Sequence, residues 1–281
     1  YSIEELAQKS TFEETSYLLL FGELPTANQL EIFTSKIKQH RNLPSDLLTI
    51  LKALPKETRP MDVLQMAVSS LGTFYDLEVS PEKVKGKKYN EDYFMNTSAI
   101  LIGALGSIVA AWHRLRNGAE PISSLSDVTY AQNFLHMLGA EEITPLMTRI
   151  MDATLVLHGE HTINASTFTA MVTSSTLANP SQVVASAIGS LSGPLHGGAN
   201  EKVIAMLQKI QSKQEIRPWL DETLKAKNVV WGMGHREYSV KDPRANILTD
   251  MVKELFDERD GGVTDIFDKA IELEKACAEK L

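Results

Sequence analysis

Helix-start chemistry recurs along almost the whole of this chain, and the alternating apolar and polar runs that a half-buried strand needs are nearly absent. Ser2 followed by Glu5, and Thr11 followed by Glu14, have the spacing at which a hydroxyl accepts from the helix's third backbone N–H while the acidic side chain reaches back. The second pair opens directly onto Tyr17, Leu18, Leu19 and Leu20. Leu30, Phe33 and Ile37 recur at helical spacing after Thr26 and Asn28, as do Leu64, Ala67, Val68 and Leu71 after Pro60 and Asp62. Gly22, Pro25, Pro44, Pro55, Pro60, Gly72 and Pro81 punctuate these patterns, which predicts many helices joined by short connections. The expected fold class is all-α.

The most apolar run, SAILIGALGSIVAAW from Ser98 to Trp112, is shorter than the roughly 20 residues of a bilayer crossing and reads as a buried helix. Val79 to Asp92 is charged and weakly apolar, the pattern of a solvated loop. No fixed-period repeat or low-complexity tract stands out. The glycine-rich turn at Gly193 to Gly198 is a candidate hinge between a long helical block and a shorter, more charged one.

At 281 residues and 43% hydrophobic content the chain can bury a substantial core, as one large domain or two smaller ones. Cys277 is the single cysteine, so no intrachain disulfide forms and a reducing, cytosol-like compartment is expected. A net charge of −8 argues against a nucleic-acid surface. The sequence starts at Tyr1 with neither an initiator methionine nor a signal-like segment, the expectation being a fragment or a processed form.

Three histidine-bearing segments carry the chemistry. In LSGPLHGGAN, Leu191 to Asn200, His196 stands among three glycines and a proline, either in an incidental surface turn or in a turn shaped for close approach of a ligand. LHGEHTINAS, Leu157 to Ser166, holds His158, Glu160 and His161 close enough to share a metal, but HExxH is absent and Cys277 is far off, so no metal site is expected. In VVWGMGHREYSVKDPRA, Val229 to Ala245, Gly232 and Gly234 flank Met233 ahead of His235, without the GK[ST] or GxGxxG frame of a nucleotide loop.

Taken together, GPLHGGANE, GMGHREYSVKDPRA and HGEHTINAST resemble the citrate synthase family. SIEELAQKSTFEETSYLLLFGELP and RPMDVLQMAVSSLG, Arg59 to Gly72, extend the likeness over essentially the whole chain. It implies a two-domain helical fold, a large domain at 1–196 completed by residues past this sequence and a small domain at 197–281, closing over a cleft. It also implies a transferase of the tricarboxylic acid cycle that condenses acetyl-CoA with oxaloacetate and hydrolyses the product to citrate and CoA. Coenzyme A thioester is then a substrate, and no separate cofactor is expected.

The family pattern makes His196 the donor to the thioester oxygen and His235 the group that polarises the ketone. His161 and Arg244 would hold the carboxylates of oxaloacetate, a guanidinium being suited to bidentate pairing. Leu195, Val229, Val230, Gly232, Met233 and Gly234 would cradle coenzyme A. Arg236 reads as a surface or interdomain ion pair. A cytoplasmic homodimer, or a multiple of it, is implied, with no nucleic acid and no membrane.

Thr162 stands where many relatives carry glutamate, Trp231 and Met233 vary the usual segment, and Arg59 replaces a frequent histidine. The family's catalytic aspartate, in an NVDFYSG-like segment, is expected past Leu281, so the chain as given is expected not to turn over. Asp242, in the DPR turn, is expected to brace the backbone beside Arg244 rather than to act as the missing base. Two other readings stay open: 2-methylcitrate synthase using propionyl-CoA, and a non-catalytic ligand-binding homologue.

Overall fold

A computed structural model describes residues 1–80, 84–85, 88–159, 162–233, 241–258 and 265–280. Its described residues form fourteen α-helices in two compact units, Tyr1–Ser192 and Gly193–Leu281. The first unit carries α1 Ile3–Lys9, α2 Phe12–Phe21, α3 Ala27–Gln39, α4 Ser45–Ala53 and α5 Pro60–Phe74, then α6 Glu91–Arg116, α7 Tyr130–Leu138, α8 Pro145–Leu157, α9 Ala165–Ser174 and α10 Pro180–Leu191. The second carries α11 Ala199–Lys209, α12 Ile216–Lys225, α13 Pro243–Glu258 and α14 Asp265–Lys280.

Local chemistry sets the starts. Ser2 accepts from the Glu5 N–H, and Thr11 and Thr26 each close a reciprocal box with Glu14 and Gln29. Pro60 sits in the first turn of α5, where its missing N–H costs nothing. Gly22, at φ 87, ends α2 in the left-handed conformation that glycine adopts without strain.

One expectation about a break and one about a helix's length need correction. Gly72 lies inside α5 rather than ending it; a Cβ there would stand 2.9 Å from Ser181 Oγ, so the residue permits close packing of α5 on α10. The Ser98–Trp112 run belongs to a much longer helix, α6, of 26 residues. By length and composition α6 could cross a membrane, yet most of its apolar window is buried in this protein, packed on α3, α5 and α7. Within the Val79–Asp92 stretch, residues 84–85 and 88–89 pair antiparallel as β1 (Val84–Lys85) and β2 (Lys88–Tyr89), and Asn90 caps α6. Residues 81–83 and 86–87 of that stretch lie outside the described residues.

The core of the first unit is aliphatic. Leu47, Leu51, Ala67, Val68, Leu71, Ala104 and Ile108 are fully buried in one cluster, and Phe33, Ile37, Tyr17 and Tyr130 anchor a second. Small residues let α6 come close to its neighbours: a Cβ on Gly103 would lie 2.7 Å from the Ile37 carbonyl oxygen. At Gly106 the Tyr130 hydroxyl stands beside the α6 ladder, accepting from the Gly106 N–H at 3.2 Å and donating to the Ile102 carbonyl at 2.9 Å. Burial pushes the Tyr130 phenol up to about 12.

Beside this aromatic cluster lies a buried ion pair. Arg41 Nη2 is 3.6 Å from Glu13 Oε1, with both side chains almost wholly out of solvent. Arg41 Nη1 donates to the Val128 carbonyl at 3.0 Å, and Glu13 Oε1 accepts the Tyr130 N–H at 2.8 Å, at the start of α7. Asp152 on α8 accepts from the Phe12 N–H; burial, reinforced by the charges of Glu13 and Glu14, raises its carboxyl to about 6.

The second unit has its own core, in which Met206 and Leu207 of α11, with Ile210 just past its end, meet Ile216 and Leu220 of α12 and Leu273, Ala276 and Cys277 of α14. Val230 joins this cluster from the connection that follows α12.

Candidate active site

Of the residues singled out in the sequence, His161, Gly234 and His235 lie outside the described residues, as do Glu160 and Arg236. Among the described residues no group of three His, Cys, Asp or Glu is placed to hold a metal. His158 ends α8 with Nδ1 2.7 Å from the Thr154 carbonyl oxygen; since a carbonyl only accepts, Nδ1 carries the hydrogen there. Thr162 adopts φ 52, uncommon for a β-branched residue, directly ahead of the helix start that Asn164 caps.

His196 sits in a compact turn at the head of the second unit. Its N–H donates to the Gly193 carbonyl at 3.0 Å, and the Gly198 N–H donates to the same oxygen at 3.2 Å. The His196 carbonyl then receives the Ala199 N–H at 3.2 Å, so the turn runs straight into α11. Positive φ is not what the glycines of this turn supply: the positive-φ glycines among the described residues are Gly22, Gly118, Gly139 and Gly232, and Gly198 is right-handed at φ −63. Their contribution is that Gly193, Gly197 and Gly198 bring no side chains of their own to the turn that holds the half-buried His196. Leu195 beside it is 96% exposed. Gly198 offers α11 no side-chain cap, and the Ala199 and Asn200 N–H groups are taken instead by the His196 and Gly197 carbonyls at 3.2 and 3.3 Å.

The connection from α12 supplies the second set. Val229 is 63% exposed, whereas the Val230 side chain is in the core, leaving only its backbone for a ligand. The Met233 N–H donates to the Val230 carbonyl at 3.3 Å, and Gly232 takes φ 91 at the third position of that turn, where a β-turn of this kind requires it. A Cβ on Gly232 would meet Val203 Cγ2 of α11 at 3.3 Å. Lys202, one residue earlier on α11, holds its ammonium 4.3 Å from the centre of the Trp231 ring.

Arg244 is in the first turn of α13, and Asp242 fixes it twice over. Asp242 Oδ1 accepts the Arg244 backbone N–H at 2.9 Å, as a helix cap, and the same carboxylate takes the guanidinium through Nε at 3.0 Å and Nη2 at 2.7 Å. The guanidinium is thereby oriented while staying partly open to solvent. Asp242 is committed to this pairing, which leaves it poorly placed to serve as a base. Sequence reasoning overlooked Lys202; its only trace there was the departure noted at Trp231.

The described residues are thus almost entirely helical, with a histidine turn at one helix start and a braced arginine at another. Residues 1–281 match the family model described as citrate synthase, C-terminal domain. The chain belongs to the citrate synthase family. It is 42% identical over 281 residues to the citrate synthase of Acidithiobacillus ferridurans, covering 100% of this chain and 72% of the relative. The Synechocystis citrate synthase is 42% identical over 99% of this chain and 67% of its own length, and a Shewanella oneidensis 2-methylcitrate synthase is 38% identical over 91% and 65%. Among solved structures, the Thermoplasma acidophilum citrate synthase in ternary complex with carboxymethyl coenzyme A and oxaloacetate superposes with a TM-score of 0.87 at 27% identity, over 99% of this chain and 71% of that one.

Proposed function

We propose that this protein condenses acetyl-CoA with oxaloacetate, with coenzyme A thioester as substrate and no separate cofactor. The observation that carries the reading is Arg244: a guanidinium oriented by Asp242 at a helix start, inside the DPR motif, is prepared to receive a carboxylate. The chemistry requires a proton to leave a weakly acidic methyl group while negative charge grows on the thioester oxygen. His196, in a glycine-rich turn fixed by backbone hydrogen bonds at the head of α11, is suited to donate to that oxygen. His235 would polarise the ketone and protonate the alkoxide, and His161 would share the acceptor's carboxylates with Arg244. The backbone from Val229 to Gly234, with Leu195, would carry coenzyme A.

The same reading makes the protein a cytoplasmic enzyme of the tricarboxylic acid cycle and a homodimer. The apolar face of α9 supports a second copy: Phe168, Met171 and Val172, at helical spacing, are 61%, 52% and 54% exposed, and none of that helix's residues is buried. The two large and small domains of the family would correspond to the units divided at Ser192 and Gly193.

The test is CoA release by the full-length protein from oxaloacetate with acetyl-CoA or propionyl-CoA. Faster turnover with acetyl-CoA, lost in His196→Ala while oxaloacetate still binds, is the expected result. Preference for propionyl-CoA would make it a 2-methylcitrate synthase, and no release from either would leave a ligand-binding homologue.

A further inference from the structure

The segment bearing His196 and the turn at Val230–Met233 are joined through one helix. His196 leads into α11 through the bond from the Ala199 N–H, and the next turn of α11 presents Lys202 and Val203 to the other segment. Val203 packs beneath Gly232, whose missing side chain admits it. Val203, Met206 and Leu207 of α11 share a hydrophobic cluster with Val230, Trp231 and Met233. Lys202 adds a contact of another kind, an ammonium over the face of the partly buried indole.

We propose that Lys202, acting through Trp231, is a positioning residue that fixes the coenzyme A-binding turn relative to the His196 turn. The proposal rests on the functional reading above and deepens it. A thioester held at His196, with the rest of its coenzyme A on the backbone of residues 229–233, is placed for reaction only if the spacing between those segments is fixed. Among the described residues, the turn is held by a hydrogen bond of 3.3 Å, a left-handed glycine and the packing of its side chains in that cluster. The indole is its largest side chain, and the ammonium restrains that indole. Lys202 need not touch the ligand to do this, which separates the idea from a phosphate contact.

The test uses the full-length protein with oxaloacetate present. It measures Kd for CoA and for dephospho-CoA, KM for acetyl-CoA and for oxaloacetate, and the melting temperature. Lys202→Met and Trp231→Leu are each expected to weaken CoA and dephospho-CoA alike, by about 3- to 5-fold, as an exposed cation–π contact implies. KM for acetyl-CoA should rise in step, with KM for oxaloacetate unchanged in both variants and the melting temperature unchanged in Lys202→Met, whereas Trp231→Leu also thins the cluster and should melt lower. Lys202→Arg, which keeps a cation over the ring, should restore binding, and the double variant should be no worse than Trp231→Leu alone. A loss confined to CoA would mean direct contact with the 3′-phosphate and would overturn the proposal, as would unchanged affinity or additive losses. Wild-type protein that bound no CoA would instead refute the functional reading, and the proposal with it.

Discussion

Replacing Glu13 with Gln should destabilise the protein strongly although it changes no shape. Arg41 would keep its charge at 1% exposure, with its Nε and Nη2 already lacking hydrogen-bond partners. Gln can still accept the Tyr130 N–H through its amide oxygen, so the substitution isolates the charge from the cap of α7. Removing one member of a buried pair typically costs about 3–5 kcal/mol. The lower end applies here, because the two groups stand 3.6 Å apart without a hydrogen bond and Arg41 keeps the Val128 carbonyl and the Tyr130 ring, 5.5 Å away. At about 2–4 °C per kcal/mol for a unit of this size, ~3 kcal/mol corresponds to a melting temperature lowered by ~6–12 °C. Circular dichroism at 222 nm during heating reads it. Glu13→Leu with Arg41→Met should recover most of the loss, because an apolar pair leaves no buried charge unmatched. Melting of Glu13→Gln within about 2 °C of wild type would show that solvent or another group compensates Arg41, and the argument would fail.

Asp152 makes stability depend on pH. Its carboxyl is raised from 3.8 to about 6 in the folded state, so the unfolded chain gives up the proton first and folding loses up to ~3 kcal/mol as pH rises from about 4 to 6. Asp152→Asn, which can still accept the Phe12 N–H, should therefore gain on wild type at pH 7.5 far more than at pH 4; an equal difference at both values in paired melts would contradict this. Gly103→Ala should lower the urea midpoint by the equivalent of about 1–3 kcal/mol, since its Cβ would press on the Ile37 carbonyl and on His40. The gain usual for alanine in an open helix would show that α3 and α6 are not so close. Arg244→Ala should abolish most of the thermal stabilisation given by oxaloacetate, a loss of about 2–5 kcal/mol in binding; a wild-type shift would remove Arg244 from the acceptor site.

Helix starts were legible because capping is local: Ser2, Thr11 and Thr26 act on backbone within three residues. Periodicity likewise marked Phe33, Ile37, Ala67, Val68 and Leu71, all fully buried. The Asp242 brace on Arg244 was legible for the same reason, being a contact across two residues. What escaped depends on partners distant in sequence. Gly72 and Gly103 look like breaks or flexible points until the helix crossing them is known. Glu13 and Arg41 look like two surface charges, since nothing near either in sequence announces the other. Lys202 over Trp231 is hidden in the same way. The φ values of the His196 turn escaped for another reason: a glycine permits left-handed backbone without demanding it.

The Tyr130 hydroxyl beside the α6 ladder ties the inheritance of two distant positions together. Phenylalanine at 130 would strip the Ile102 carbonyl of a donor and the Gly106 N–H of an acceptor inside a closed core. Any side chain at 106 would strike the phenol oxygen, 2.6 Å from where its Cβ must lie. A side chain at 106 is excluded while the tyrosine stands, and loss of the tyrosine is costly, so a lineage can lose the glycine only after giving up the tyrosine. Across descendants of this chain the two should be kept or exchanged as one character, however little either has to do with the reaction.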